Sequence, residues 1–189
     1  MRDALSYALD MLPAMMLALP LWALGRGAYL WMKKAPVRWG RELLLLALIL
    51  WTAGLLSQTV WPSNGYFVPL ESVFGERTLW RMNLVPFRTI ADYFGRLRDG
   101  FVSLFLVNFA GNILLFVPLG LLPPLLWRRY RGWRGAALPA LCSLLVELAQ
   151  IFTGRSVDVD DLILNALGGL LGWLLARLLL RPDQRKKSC

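Results

Sequence analysis

Histidine does not occur among the 189 residues. Its absence excludes histidine-based triads, phosphohistidine chemistry and His-ligated zinc. Cysteine is almost as scarce. Cys142 lies inside an apolar run and Cys189 is the last residue of the sequence, so neither a disulfide framework nor a metal site follows. Charge is short as well, at 17% of residues, where a soluble domain carries about 25%. Acids are the rarer sign, 12 against 21 Lys and Arg, giving a net charge of +9. The basic residues fall in three bursts, 26–41, 128–134 and 181–187, each abutting an apolar run. That placement suits cytoplasmic loops and anionic lipid, so no nucleic-acid partner is expected.

Hydrophobic residues make up 57% of the chain. Five segments, 4–24, 42–61, 101–126, 135–153 and 159–180, approach the roughly 20 residues needed to cross a bilayer core. The expected fold class is therefore all-α, a polytopic membrane helix bundle of about five transmembrane helices. An outer surface segment would join helices two and three. Residues 1–180 read as one transmembrane domain and 181–189 as a basic cytoplasmic tail. Pro13 and Pro20 would kink the first span, where neighbouring helices can satisfy the freed backbone. Ala23-Leu24-Gly25 offers a small-residue cleavage site, but cleavage there would send the basic stretch after it outside, against the positive-inside bias. The three basic clusters agree on one orientation in a multi-pass cell-membrane protein: N-terminus outside, C-terminus cytoplasmic, and loops 62–100 and 154–158 outside.

Loop 62–100 is too long for a simple connector. It opens on Trp61-Pro62-Ser63-Asn64-Gly65, a turn-rich run, and then spreads Trp80, Phe87, Tyr93 and Phe94 among arginines. That mixture suits the membrane–water boundary, and part of the loop reads as a surface helix or hairpin.

Polar residues inside the apolar segments carry the functional signal. Ser143, Glu147 and Gln150 are spaced i, i+4, i+7 on one helical face, and Asp161, Asn165, Gly168 and Gly172 form a second stripe. Asn108 and Asn112 form a third. Facing lipid these edges would be costly, so they should face one another. Glu147, Gln150, Asp158, Asp160, Asp161 and Asn165 all lie near the outer end of their spans. Arg155 sits between the acids as a partner for Glu147 or the aspartates. Structural readings compete: Asp158 suits an N-cap and Asp161 a first-turn acid. Asn108 and Asn112 suit helix–helix glue, and Gly168-xxx-Gly172 suits close packing. Glu147 resists such a reading best, because a carboxylate within a span is a functional candidate by default.

Four short stretches resemble the VanZ-like family. They are Asn83-Leu-Val-Pro86-Phe87-Arg88, Asn112-Ile-Leu-Leu-Phe-Val-Pro118-Leu-Gly120, Glu147-Leu-Ala-Gln150 and Gly154-Arg155-Ser-Val-Asp158-Val-Asp160-Asp161-Leu-Ile-Leu-Asn165-Ala-Leu-Gly168-Gly169. Each is weak alone, but their order and spacing over about 83–175 are specific. The resemblance implies a small bacterial membrane protein, of a kind some members of which are linked with teicoplanin-type glycopeptide resistance.

Three functions are open at this point. The first is binding or modulation of an envelope component, a lipid-linked cell-wall precursor or a glycopeptide antibiotic at the outer face. Its pocket would hold Asn83, Arg88, Asn108, Asn112, Glu147, Gln150, Arg155, Asp158, Asp160, Asp161 and Asn165. Arg88 and Arg155 would grip phosphate or carboxylate. This reading needs membrane lipid but neither cofactor nor metal. The second is a membrane enzyme acting on a lipid-linked phosphate or glycan. There Glu147 or Asp161 would be the catalytic acid or base, and the Asp158/Asp160/Asp161 cluster would hold magnesium. The third is a small transporter, which the lack of a duplicated half disfavours.

Overall fold

The computed structural model describes residues 4–61, 82–153 and 155–180. Its helices are α1 (Ala4–Asp10), α2 (Leu12–Lys33), α3 (Trp39–Thr59), α4 (Arg88–Arg98), α5 (Val102–Phe105), α6 (Gly111–Leu126), α7 (Trp133–Phe152) and α8 (Val159–Leu179). A π-helical turn, Leu106–Ala110, joins α5 to α6. Two short strands, β1 (Met82–Asn83) and β2 (Val157–Asp158), pair in parallel and set Asn83 opposite Asp158. The protein is thus an all-α membrane bundle with one two-residue ladder at one end.

Four helical stretches are long and apolar enough to cross a membrane: Trp39–Thr59, Leu106–Leu126, Trp133–Phe152 and Val159–Leu179. They coincide with segments two to five of the sequence reading. The first expected span is helical too, but α2 starts later than residue 4 and runs on to Lys33. It includes Pro20 and the Gly25-Arg26-Gly27 stretch, which dilute its apolar content, and it is not among the four. Arg26 is anchored by a bidentate pair with the buried Glu42 of α3, at 2.7 and 2.8 Å. The basic tail 181–189, Trp80 and most of the turn-rich opening of the outer loop lie outside the described residues.

Helices α6 and α8 form the tightest crossing. A Cβ at Gly168 would meet the Ile113 carbonyl, and one at Gly172 the Val117 carbonyl. From the other side, a Cβ at Gly120 would meet the Gly169 carbonyl. Small residues on both helices let the backbones touch, and in lipid such packing takes the place of hydrophobic association. The glycine pair is therefore a packing surface. Helix α7 closes on the same face, with Pro139 against Gly169. The apolar core is small: Leu55, Phe116, Leu119 and Val146 from α3, α6 and α7. Most leucines face outward instead, among them Leu141, Leu145, Leu170, Leu174 and Leu178. This inversion of the soluble pattern fits a bundle whose solvent is hydrocarbon.

Candidate functional site

What the bundle buries is polar. Ser143, Glu147, Gln150, Asp160 and Asn165 are all under 8% exposed, on α7 and α8. The two stripes expected from sequence do face each other: the Asn165 amide donates to Ser143 Oγ at 3.0 Å. One turn nearer the helix ends, Asn112 of α6 donates to Asp161 Oδ1 at 2.7 Å. Asn108 is half-buried in the π-helical turn that precedes α6, an irregularity that recurs at functional sites.

The three aspartates at the start of α8 have three different jobs. Asp158 is the N-cap, accepting from the Asp160 N–H at 2.9 Å. Its carboxylate also accepts from Asn83 Nδ2 at 3.0 Å and from Thr89 Oγ1 at 2.6 Å. Asp160 is fully buried and accepts three backbone N–H groups, from Phe87 at 2.6 Å, Thr89 at 2.7 Å and Ile90 at 3.1 Å. Those amides are the otherwise unpaired donors where α4 begins. Phe87 adopts a left-handed backbone there (φ 66°), which aims the amides at the acid. Asn83 completes the clamp, donating to Thr89 Oγ1 at 2.8 Å and accepting from the Val85 N–H at 3.3 Å. Asn83-Leu-Val-Pro-Phe-Arg and Val157-Asp-Val-Asp are therefore two halves of one internal clamp. Asn83, Asp158 and Asp160, expected in a ligand pocket, hold α4 across the end of α8.

The two arginines are placed differently. Arg88 is exposed and lines a surface groove with Thr89 and Asp92. Arg155 donates to the Gln58 carbonyl at the end of α3, at 2.9 Å. Among the described residues it forms no ion pair with Glu147 or the aspartates, although its charge reaches Glu147 and Asp161.

Glu147 is held by one oxygen only: Oε2 accepts the Asp158 N–H at 3.1 Å. Its Oε1 is buried and has no hydrogen-bond partner among the described residues. The same is true of Gln150 Oε1 and Asn165 Oδ1. In each case the other polar atom of the group is fixed, Gln150 Nε2 by the Thr59 carbonyl at 3.2 Å and Asn165 Nδ2 by Ser143. The orphaned oxygens are thus held in place by their own partners. A buried acceptor without a donor costs about 1–3 kcal/mol, and native structures hold few.

Tyr93 of α4 borders this cluster, and its place there was not foreseen from sequence. Burial and the nearby Asp161, Asp158 and Asp160 carboxylates push its phenol well above the ordinary value, so it stays protonated as a donor. Thr89 was missed as well. Its only sequence signal was its place right after Arg88 in the short motif. Among the described residues no group of three or more acids and cysteines is arranged to hold a metal ion.

Comparison with known proteins adds the family. Neither a curated protein nor a solved structure matches the chain. The VanZ/LLP1 family model matches residues 43–180, most of the chain, starting near the beginning of α3 and so reaching well upstream of the motifs that carried the resemblance. It takes in the clamp, the glycine crossing and the orphaned acceptors, and the chain accordingly belongs to the VanZ/LLP1 family.

Proposed function

We propose that this protein binds, without covalent chemistry, an envelope amphiphile that presents hydroxyl, amide or amine donors at the outer leaflet. A lipid-linked cell-wall precursor and a teicoplanin-type glycopeptide both have that chemistry. The observation that carries the reading is the buried Oε1 of Glu147, unpartnered among the described residues and 4% exposed as a residue, whose sister oxygen is fixed by the Asp158 N–H. Gln150 and Asn165 add two more acceptors of the same kind. Acceptors that lack donors favour a ligand rich in N–H and O–H over a bare phosphate. The positive-inside distribution of arginine and lysine supports the outer side. An apolar cavity of about 460 Å³ between α3, α6 and α7, lined by Leu48, Leu56, Val60 and Val146, offers room for part of an apolar tail.

The enzyme alternative is less well served. Asp158 and Asp160 direct their carboxylates at amides and hydroxyls of their own chain, leaving Glu147 and Asp161 to act alone.

The test is teicoplanin susceptibility of a Gram-positive host producing wild type or Glu147→Gln at equal membrane levels. Protection by wild type and its loss in the variant is the expected result. Equal protection by both would make Glu147 structural and remove the proposed site. No protection by wild type would remove the antibiotic arm; binding of a purified lipid-linked precursor to wild type and Glu147→Gln would then decide the other.

A further inference from the structure

The turn between α2 and α3 lies at the N-terminal end of α3, away from the Gln58–Thr59 end that meets Gln150 and Arg155. That turn bends at Lys34, which caps α2 in a left-handed conformation (φ 44°). Two cavities adjoin there. One, of about 280 Å³, is predominantly polar and is lined by Arg26, Tyr29, Arg38, Arg41 and Glu42. The other, of about 360 Å³, is predominantly apolar and is lined by Trp22, Leu45 and Ile49. They share Arg26 and Tyr29, so a polar chamber opens directly onto an apolar groove between two helices.

The charges in the polar chamber are not equivalent. Arg26 is committed: it pairs twice with Glu42 and lies 4.9 Å from the centre of the Tyr29 ring. That pair is neutral overall and forms a fixed floor. Arg38 and Arg41 are exposed and form no salt bridge among the described residues. The chamber therefore carries an uncompensated positive charge at its rim, next to a groove suited to hydrocarbon. Basic pockets beside spans, on the side where lysine and arginine gather, attract anionic lipid headgroups.

We infer that this paired cavity binds an anionic phospholipid, its phosphodiester held by Arg38 and Arg41 and one acyl chain lying along Trp22, Leu45 and Ile49. The site is separate from the acceptor cluster on α7 and α8 and does not depend on what that cluster binds. A free phosphate would use the chamber alone, whereas a lipid uses both chamber and groove.

The experiment is thermal unfolding of the full chain in detergent with added phosphatidylglycerol, phosphatidylcholine or inorganic phosphate. Wild type is compared with an Arg38→Gln/Arg41→Gln double variant. Both positions are exposed, so the variant keeps its fold, which an unchanged midpoint in phosphatidylcholine verifies. Phosphatidylglycerol is expected to raise the wild-type midpoint, with phosphatidylcholine and phosphate doing little. In the double variant its apparent affinity should fall about 10- to 30-fold, the loss for two surface arginines. An equal shift with phosphatidylcholine would overturn the headgroup assignment. A matching shift with inorganic phosphate would make the site one for a free anion and overturn the lipid. Undiminished phosphatidylglycerol affinity in the double variant would remove the arginines from the site.

Discussion

Two buried acids on neighbouring helices, Glu147 of α7 and Asp160 of α8, illustrate how differently a carboxylate can be used here. Asp160 has both oxygens filled by three backbone N–H groups. Glu147 has one oxygen filled and one orphaned. Asp160→Asn turns one acceptor oxygen into a donor facing amide donors, and should destabilise the protein by about 2–3 kcal/mol. Glu147→Gln can keep its carbonyl on the Asp158 N–H and should leave stability nearly unchanged. Unfolding of both variants in mixed detergent checks this. An Asp160→Asn midpoint equal to wild type would show that the clamp does not hold α4. The distinction was invisible in the sequence, where Asp160 and Glu147 both read as intramembrane acids. Only the approach of the Phe87–Ile90 backbone shows which one is satisfied.

At the scale of elements, the pairing of α6 with α8 positions the whole site. Asn112 and Asp161 can meet because Gly168 and Gly172 let the Ile113 and Val117 carbonyls come into contact with α8. Gly168→Leu forces backbone against side chain and should cost about 1–3 kcal/mol or more, since overpacking moves the helices apart. Gly25→Leu on α2, where an added Cβ meets nothing within 4 Å, is the control and should be neutral. Folded yield and thermal midpoint of the two variants measure the difference. A tolerated Gly168→Leu would mean that the crossing is not the structural fulcrum. The spacing of these glycines was legible because i, i+4 small residues mark one helix face. Their partner helix was not, since spacing on one helix does not say which neighbour covers it. Helix α4 was legible only as a helix or hairpin in the outer loop. Its seat over the start of α8 depends on the β1–β2 pairing of residues 75 positions apart.

For the molecule as a whole, orientation is the question that charge distribution addresses. The positive-inside rule would put the bursts at 26–41 and 128–134 on the cytoplasmic side, and the proposed function puts the clamp and acceptor cluster on the other. With Cys142 and Cys189 replaced by serine, single cysteines at Ser156 and at Arg131 should respond oppositely to a membrane-impermeant thiol reagent on intact cells. Labelling at 156 alone supports an outer site, and labelling at 131 alone would place the acceptor cluster on the cytoplasmic side and overturn the proposed function as stated.

Composition and periodicity were enough to determine that this chain lives in a bilayer, where its spans two to five run, and which faces of α7 and α8 are polar. Those properties are local: hydropathy is set by the residues of one segment, and a helical face by a repeat of 3.6 residues. The sequence also placed Glu147 and Asn165 on stripes that must meet. The tertiary structure decided which polar groups are consumed by the fold and which are left over. Asp158 and Asp160 are engaged because a distant turn, Asn83 included, brings amide and hydroxyl donors to them. Among the described residues, Glu147, Gln150 and Asn165 each keep one unpaired oxygen because their neighbours satisfy only one atom of each group. Hydrogen-bond satisfaction is a property of pairs of atoms, and the pairs that join Asn83–Ile90 to Asp158–Asp160 bring together segments about 70 residues apart in the chain.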